Sequence, residues 1–247
     1  MTLELTDLSV RFETPRGCVL AVDRACLRVE AGERVALIGE SGCGKTVLAL
    51  ALLGLLPRNA RCSGGAAFGG RNLLDPRTAR SLRGRQIAMC WSNAQRFFNP
   101  VFPLGRQISE AYLQYHPGEK QAAREKTLEL LRNMGFHDSG RICQAYPSQV
   151  SGGMNQRAMI AMSLINQPQL LLVDEPTRGL DDESRDRVVE CLLGISGASM
   201  LIITHDMDLV QQIAHGVYFM QEGKILHGRG CPQAFCVSGA DDGDLDV

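Results

Sequence analysis

The chain has 247 residues, 45% of them hydrophobic and 21% charged, and its 26 Lys+Arg against 27 Asp+Glu leave a formal net charge of −1. That composition is too apolar and too weakly charged for a disordered chain, and the length is enough to bury a substantial core. It also lacks the basic excess that marks a general nucleic-acid binder, so no nucleic-acid partner is expected.

In chain order, the first segment alternates. Leu3, Leu5, Leu8, Val10 and Phe12 are separated by polar residues, the pattern of a strand with one wet face. It carries Glu4 and Asp7 and has no basic start ahead of an apolar run, so it does not read as a signal peptide, and a cytosolic chain is expected. Pro15-Arg16-Gly17 reads as a turn, Val19–Val22 and Cys26–Val29 as second and third strands, and Arg34–Ile38 as a short buried strand. A glycine-rich loop and a helix from about Lys45 to Leu56 follow. The apolar stretch Val47–Leu56 stops at Pro57, short of the roughly 18 residues needed to cross a bilayer. Cys62–Gly70 suggests a small edge hairpin. From about Gln107 to Met134 the spacing turns helical, with Ala122, Leu128, Leu131 and Met134 among charged residues. Val150–Gln167 reads as a loop and then a helix from near Asn155. Gln169–Val173 and Met200–Thr204 read as two more buried strands, Met207–Ile213 as a short helix, and Val217–Met220 with Lys224–Leu226 as a hairpin. The acidic end suggests a flexible tail over residues 236–247. Alternating buried strands and helices point to an α/β fold with a largely parallel sheet, and the helix-rich middle looks like an inserted subdomain.

The nine cysteines are scattered and form no C-x-x-C pair, which suits reduced, mostly buried thiols; Cys231 and Cys236, the closest pair, are not expected to hold a metal. The five histidines form no i, i+4 pair, so no zinc site is expected.

The chemistry concentrates at a few segments. Gly39-Glu40-Ser41-Gly42-Cys43-Gly44-Lys45-Thr46 matches G-x-x-x-x-G-K-[ST] between a predicted strand and a predicted helix, the context that motif requires. Its glycines permit a tight loop whose amides, with the helix N-terminus, make an anion site; Lys45 can reach β/γ-phosphates and Thr46 can ligate Mg²⁺. Asp174 ends a buried strand and would stand beside that loop, able to hold Mg²⁺, while Glu175 could orient or deprotonate an attacking water. Ser151-Gly152-Gly153 precedes a helix and offers a second anion site. His205 follows the strand Met200–Thr204 and would emerge at the same sheet edge, facing phosphate.

Gly39–Thr46 (GESGCGKT), Val150–Arg157 (VSGGMNQR), Leu170–Pro176 (LLLVDEP), Arg178–Asp182 (RGLDD) and Thr204–Asp206 (THD), in that order, resemble the nucleotide-binding domain of an ATP-binding-cassette (ABC) transporter. The resemblance runs from Leu3 to about Phe235. It implies a P-loop NTPase cassette over residues 1–235, with a RecA-like parallel-sheet core, an antiparallel β subdomain and an inserted α-helical subdomain at about residues 95–165. Ala21–Asp23, Phe97–Pro100 and Ala145–Leu164 narrow it to the peptide and nickel import branch. Peptide-type members usually carry a longer C-terminal extension, so the 247-residue length favours the nickel-type subunit, with a di- or oligopeptide importer as the alternative. A soluble ABC ATPase and a low-turnover nucleotide-binding regulator are more distant alternatives.

The resemblance also implies a mechanism. A second ATP-binding subunit, identical or different, would complete a dimer that sandwiches ATP and Mg²⁺, with Ser151, Gly152 and Gly153 acting on the partner's nucleotide. Glu175 would be the general base, His205 the γ-phosphate contact and Asp181 part of the loop that signals across the interface. Phe12 matches the position that stacks on adenine. Two membrane permeases and an extracytoplasmic substrate-binding protein would complete the assembly, placing the chain peripherally on the cytoplasmic face of the plasma membrane. One position departs from the pattern: Ser92 stands where the family usually has a glutamine, and serine is too short to reach Mg²⁺ or the attacking water directly. Slow hydrolysis or altered coupling is therefore expected.

Overall fold

A computed structural model describes residues 1–230. In chain order the elements are β1 (Leu3–Thr14), β2 (Gly17–Val29), β3 (Arg34–Ile38), α1 (Lys45–Leu52), β4 (Ala60–Phe68), β5 (Arg71–Asn72), α2 (Pro76–Leu82), β6 (Ile87–Cys90), α3 (Leu104–Leu113), α4 (Lys120–Asn133), α5 (Ser139–Gln144), α6 (Gly152–Leu164), β7 (Leu170–Asp174), α7 (Asp182–Leu193), β8 (Ser199–Thr204), α8 (Met207–Ile213), β9 (Gly216–Gln221) and β10 (Lys224–Gly230).

The strands form two sheets. One has the order β10-β9-β3-β8-β7-β6, parallel throughout except for the antiparallel β10–β9 hairpin; the other has the order β2-β1-β4-β5 and is antiparallel. β7 and β8 are apolar without a break from Leu170 to Val173 and from Met200 to Ile203, because both faces of the parallel sheet are covered. Alternate residues divide between two cores. Leu170, Leu172, Leu201 and Ile203 pack with α1 and the antiparallel sheet, while Leu171, Val173, Met200 and Ile202 pack with α3, α4, α6 and α7. The helices α3 to α6 occupy residues 104–164, the region expected to hold the helical subdomain.

Several expected elements change on folding. The two strands read over residues 19–29 are one bulged strand, β2: Arg24 sits at φ 46 and the β1 pairing shifts register around it rather than breaking. Helix α1 ends at Leu52, not Leu56. Gly54 adopts φ 62, its N–H donates to Ala51 O and the Leu55 N–H donates to Leu50 O, the paired bonds that close a helix with a left-handed glycine. Helix α6 starts at Gly152, three residues before Asn155, because the Ser151 side chain caps it by accepting from Met154 N at 3.2 Å. The segment read as an edge hairpin is the longer β4, which pairs along β1 and turns into the two-residue β5. Among the described residues Cys43, Cys90 and Cys191 are buried, Cys143 is half-buried, and Cys18, Cys26 and Cys62 are exposed, so those thiols are not mostly interior. Cys231, Cys236 and the acidic tail lie outside the described residues.

Candidate active site

The phosphate loop is built by close backbone packing. A side-chain carbon on Gly39 would fall 2.0 Å from the carbonyl oxygen of Met220 in β9, and one on Gly44 would fall 2.3 Å from that of Ala21 in β2. Both glycines also carry positive φ, 152° and 112°, so the loop tolerates no substituent there. The β9–β10 turn braces the loop from below: Gly223 N donates to Cys43 O at 2.9 Å, and Asp23 N donates to Gly223 O at 2.8 Å. No side chain caps the N-terminus of α1, which leaves its first-turn amides turned to the loop.

Lys45 heads α1 and is only 6% exposed. Its Nζ donates to Gly39 O and Glu40 O, each at 2.7 Å, and lies 3.6 Å from Cys43 Sγ, with no carboxylate among its partners in the described residues. Buried ammonium groups are normally paired with an anion, so a glycine-rich loop at a helix N-terminus around a buried cation with no carboxylate partner is a donor set suited to phosphate. Thr46 Oγ1 stands 3.2 Å from each oxygen of Asp174, at the C-terminal end of β7. Burial pushes the Asp174 carboxyl above the ordinary carboxylate range and the charge of Glu175 adds to the push; the Thr46 bond and the charges of Lys45 and Arg178 oppose it. A hydroxyl and a carboxylate side by side are oxygen ligands of the kind a hard divalent cation takes.

Glu175 lies at φ 45, a left-handed conformation that only a few per cent of non-glycine residues adopt. Its amide donates to Ile203 O at 2.8 Å, which ties the strained residue to β8. The side chain is 14% exposed, and Oε1 lies 2.8 Å from Nδ1 of His205, whose ring is 66% exposed. Thr204 Oγ1 donates to Glu175 Oε2 at 3.4 Å. The parallel register of β7 and β8, Asp174 opposite Ile203, is what delivers these groups to one sheet edge.

Lys45, Thr46, Ser41, Gly42, Gly44, Asp174, Glu175 and Ser92 share one cavity of about 390 Å³. Trp91 and Phe97 line it as well, their rings stacked with centroids 4.9 Å apart. Phe12 does not line it; it is half-buried against the core of the antiparallel sheet, paired with Val19 and Ala60. Ser151 and Gly152 are exposed at the start of α6, away from this cavity, and Ser151 lies on the wall of a different one. Gly153 is packed against α7, where a side-chain carbon would fall 2.5 Å from Ser184 Cβ. Asp181 caps α7, accepting from Ser184 N and Ser184 Oγ at 2.9 Å each, and these bonds hold its carboxyl below the ordinary range.

Two functional groupings escape a reading of the sequence. Gln156 is buried in α6 and grips the loop that carries Ser92: its Nε2 donates to Trp91 O at 2.9 Å, and its Oε1 accepts from Ala94 N at 3.3 Å. Asp206, beside His205, accepts from Arg185 through both carboxylate oxygens, at 2.8 and 2.9 Å, and from Thr177 Oγ1 at 3.0 Å. The matching signal is the aspartate of the Thr204–Asp206 segment, which reads from sequence only as a companion of the histidine.

Residues 22–178 match the family model for the ABC transporter domain. The chain is 40% identical over 94% of its length to a peptidoglycan transport ATP-binding protein of Agrobacterium fabrum, covering 44% of that protein. It is 38% identical over 92% of its length to a probable peptide ABC transporter ATP-binding protein of Sinorhizobium fredii, and 37% identical over 91% to a dipeptide transport ATP-binding protein of Haemophilus influenzae; it covers 70% of each. The chain thus spans less than half of the first relative and about seven-tenths of the other two. Among solved structures, an ATP-binding cassette dimer in a post-hydrolysis state, bound to ADP and Pi, superposes with a TM-score of 0.81 at 21% identity, covering 93% of this chain and 98% of that one. A Clostridium perfringens cassette from the transporter complex cbiONQ gives 0.79 at 22% identity, covering 96% and 90%. The structural likeness shows the cassette fold. The relatives' names do not support the expectation of a nickel-type subunit and fit its peptide alternative better: they are peptide, dipeptide and peptidoglycan transport proteins.

Proposed function

The chain belongs to the ABC transporter family, and from that premise we propose that it is the ATP-hydrolysing subunit of a peptide importer. The observation that carries the reading is the convergence in one cavity of a buried Lys45 with no carboxylate partner, the Thr46–Asp174 pair and Glu175, which His205 holds from outside the cavity wall. The loop amides and Lys45 would hold the β- and γ-phosphates of ATP. Mg²⁺, held by Thr46 and Asp174, would supply charge neutralisation between those phosphates. Glu175, fixed in its strained backbone, would orient the attacking water and accept its proton, with His205 holding Glu175 Oε1 and facing the γ-phosphate. Ser92 lines the same cavity with a hydroxyl too short to span it.

Ser151 and Gly152 open α6 on an exposed surface away from this cavity, which supports a role on the nucleotide of a second ATP-binding subunit in a sandwich dimer. Asp181 and Gly153, packed through Ser184, would link that surface to α7. No helix among the described residues is long and apolar enough to cross a membrane. As an importer subunit the chain would work on the cytoplasmic face of the membrane through two permease subunits, fed by an extracytoplasmic substrate-binding protein. Peptide as the cargo rests on the names of the relatives.

The test is uptake in cells that express the chain from its own operon. Wild type should accumulate a labelled di- or tripeptide, and Lys45→Ala should abolish that uptake. Accumulation of labelled nickel with no peptide uptake would overturn the peptide assignment. Unimpaired uptake by the Lys45 variant would overturn the ATPase assignment.

A further inference from the structure

One wall residue of the active-site cavity belongs to none of the roles above. Arg178 lies in the loop between β7 and α7 and faces the same space as Lys45, Thr46, Ser92, Asp174 and Glu175. It is exposed, and among the described residues its guanidinium makes no hydrogen bond or ion pair. An arginine that is always charged and carries a planar fork of N–H donors, yet spends none of them on the protein, is free for a ligand.

The backbone beneath it is held at both ends. Arg178 N donates to Glu175 O at 3.3 Å, so the residue sits one turn beyond the strained glutamate. Thr177 is buried and its hydroxyl donates to Asp206. Gly179 follows at φ 73 and turns the chain toward α7. The Arg178 Cα is therefore fixed by main-chain and Thr177 contacts, while its side chain stays uncommitted. Its charge reaches Asp174, where it offsets part of the upward push of burial.

Location within the cavity decides what it would touch. Lys45 and the loop amides occupy the end where α1 begins, whereas Arg178 stands at the end of β7 with Glu175. A polyphosphate seated on the loop therefore points its last phosphate toward Glu175 and Arg178. Arginine forks match phosphate oxygens two at a time, and such charge-assisted bonds are about twice as strong as neutral ones.

We propose that Arg178 binds the terminal phosphate of the nucleotide held in this chain's own cavity, and so makes the site discriminate a triphosphate from a diphosphate. This rests on the reading of the cavity as an ATP site. The test is a set of affinities of the full chain for ATP and ADP with Mg²⁺, by competition with a fluorescent nucleotide, for wild type, Arg178→Ala and Arg178→Lys. Arg178→Ala should weaken ATP about tenfold and leave ADP within about twofold, with Arg178→Lys between. An unchanged ratio of ATP to ADP affinity overturns the proposal, as does an equal loss for both nucleotides. A wild-type chain that binds neither nucleotide would sink the ATP reading itself, an outcome distinct from either of those.

Discussion

Replacing Asp206 with alanine tests the physical linkage of the active site most directly. One oxygen, Oδ1, accepts from Leu209 N at 3.0 Å and Arg185 Nη2 at 2.8 Å; the other, Oδ2, accepts from Arg185 Nε at 2.9 Å and Thr177 Oγ1 at 3.0 Å. The Leu209 bond is the cap of α8, whose loss costs about 1 kcal/mol. The Arg185 fork is mostly shielded, with side-chain exposures of 23% and 17%, and its remaining partner Asp208 is 72% exposed and adds little. Losing that charge-assisted pair costs about 2 kcal/mol, and leaving the buried Thr177 hydroxyl without its acceptor costs about 1 kcal/mol. These contributions share one carboxylate and do not add fully, so about 3 kcal/mol is expected, a fall of about 6–12 °C in Tm for a chain of this size. Asp206→Asn keeps one carbonyl oxygen, enough for the α8 cap but not for Thr177 as well, and should lose less than alanine does.

The pH dependence gives an independent check on the same carboxylate. Burial pushes Asp206 up, but the bonds from Arg185, Leu209 and Thr177 together hold its carboxyl below the ordinary 3.8. A carboxylate depressed in the folded state contributes stability above the unfolded value and loses it as pH falls through the folded one. The gap between wild type and Asp206→Asn should therefore be constant from neutral pH down to about 5 and shrink below about 4. Calorimetric melts of the full chain over that range measure it. A Tm for Asp206→Ala within about 2 °C of wild type at neutral pH would refute the reasoning.

Gly44→Ala would place a carbon 2.3 Å from Ala21 O at φ 112; the loop must move, and competition binding should show nucleotide affinity lost, with a stability cost of about 2 kcal/mol in melts. Asp174→Asn should raise the Tm of the nucleotide-free chain at neutral pH while abolishing turnover. Because burial raises that carboxyl, its charged form destabilises the fold above the raised value and not below the ordinary one, so the gain should vanish in acid; a gain that persists there contradicts the assignment. Ser92→Gln should raise ATPase rate or transport coupling in the assembled complex, and no change in either would show that the serine is not limiting.

Local chemistry is where sequence and structure agree most closely. Arg34–Ile38 and Met207–Ile213 fold with the bounds their patterns predict, since a sheet buried on both faces demands an unbroken apolar run and Asp206 caps the helix from its own neighbourhood. The phosphate loop is equally legible because its glycines are required by φ and by contact at Gly39 and Gly44. Other elements carry weaker signals. In α7 the buried positions cluster at Val188, Val189, Cys191 and Leu192, after a first half that is almost wholly polar, and β6 is only four residues long. The break at Asp23-Arg24 that suggests two strands is a bulge within one, which pairing to β1 carries through.

What no local pattern encodes is the wiring between motifs. Gln156 meets Trp91 across 65 residues of chain, and Arg185 meets Asp206 across 21. Together these contacts make a continuous path. Gln156, five positions after Ser151 on α6, holds the backbone of the loop bearing Ser92. On the same helix Gly153 lies against Ser184, which Asp181 caps. One residue on, Arg185 clasps Asp206, next to the histidine that holds Glu175. A shift of α6, the helix whose N-terminus is exposed, must therefore disturb either the Ser92 loop or the Asp206 clasp, because Gly153 leaves no room for α6 and α7 to slide independently. Close packing of this kind favours discrete arrangements over gradual deformation, so the second subunit proposed to dock on Ser151 would act on the Glu175–His205 pair through the Asp206 clasp and on the Ser92 loop through Gln156.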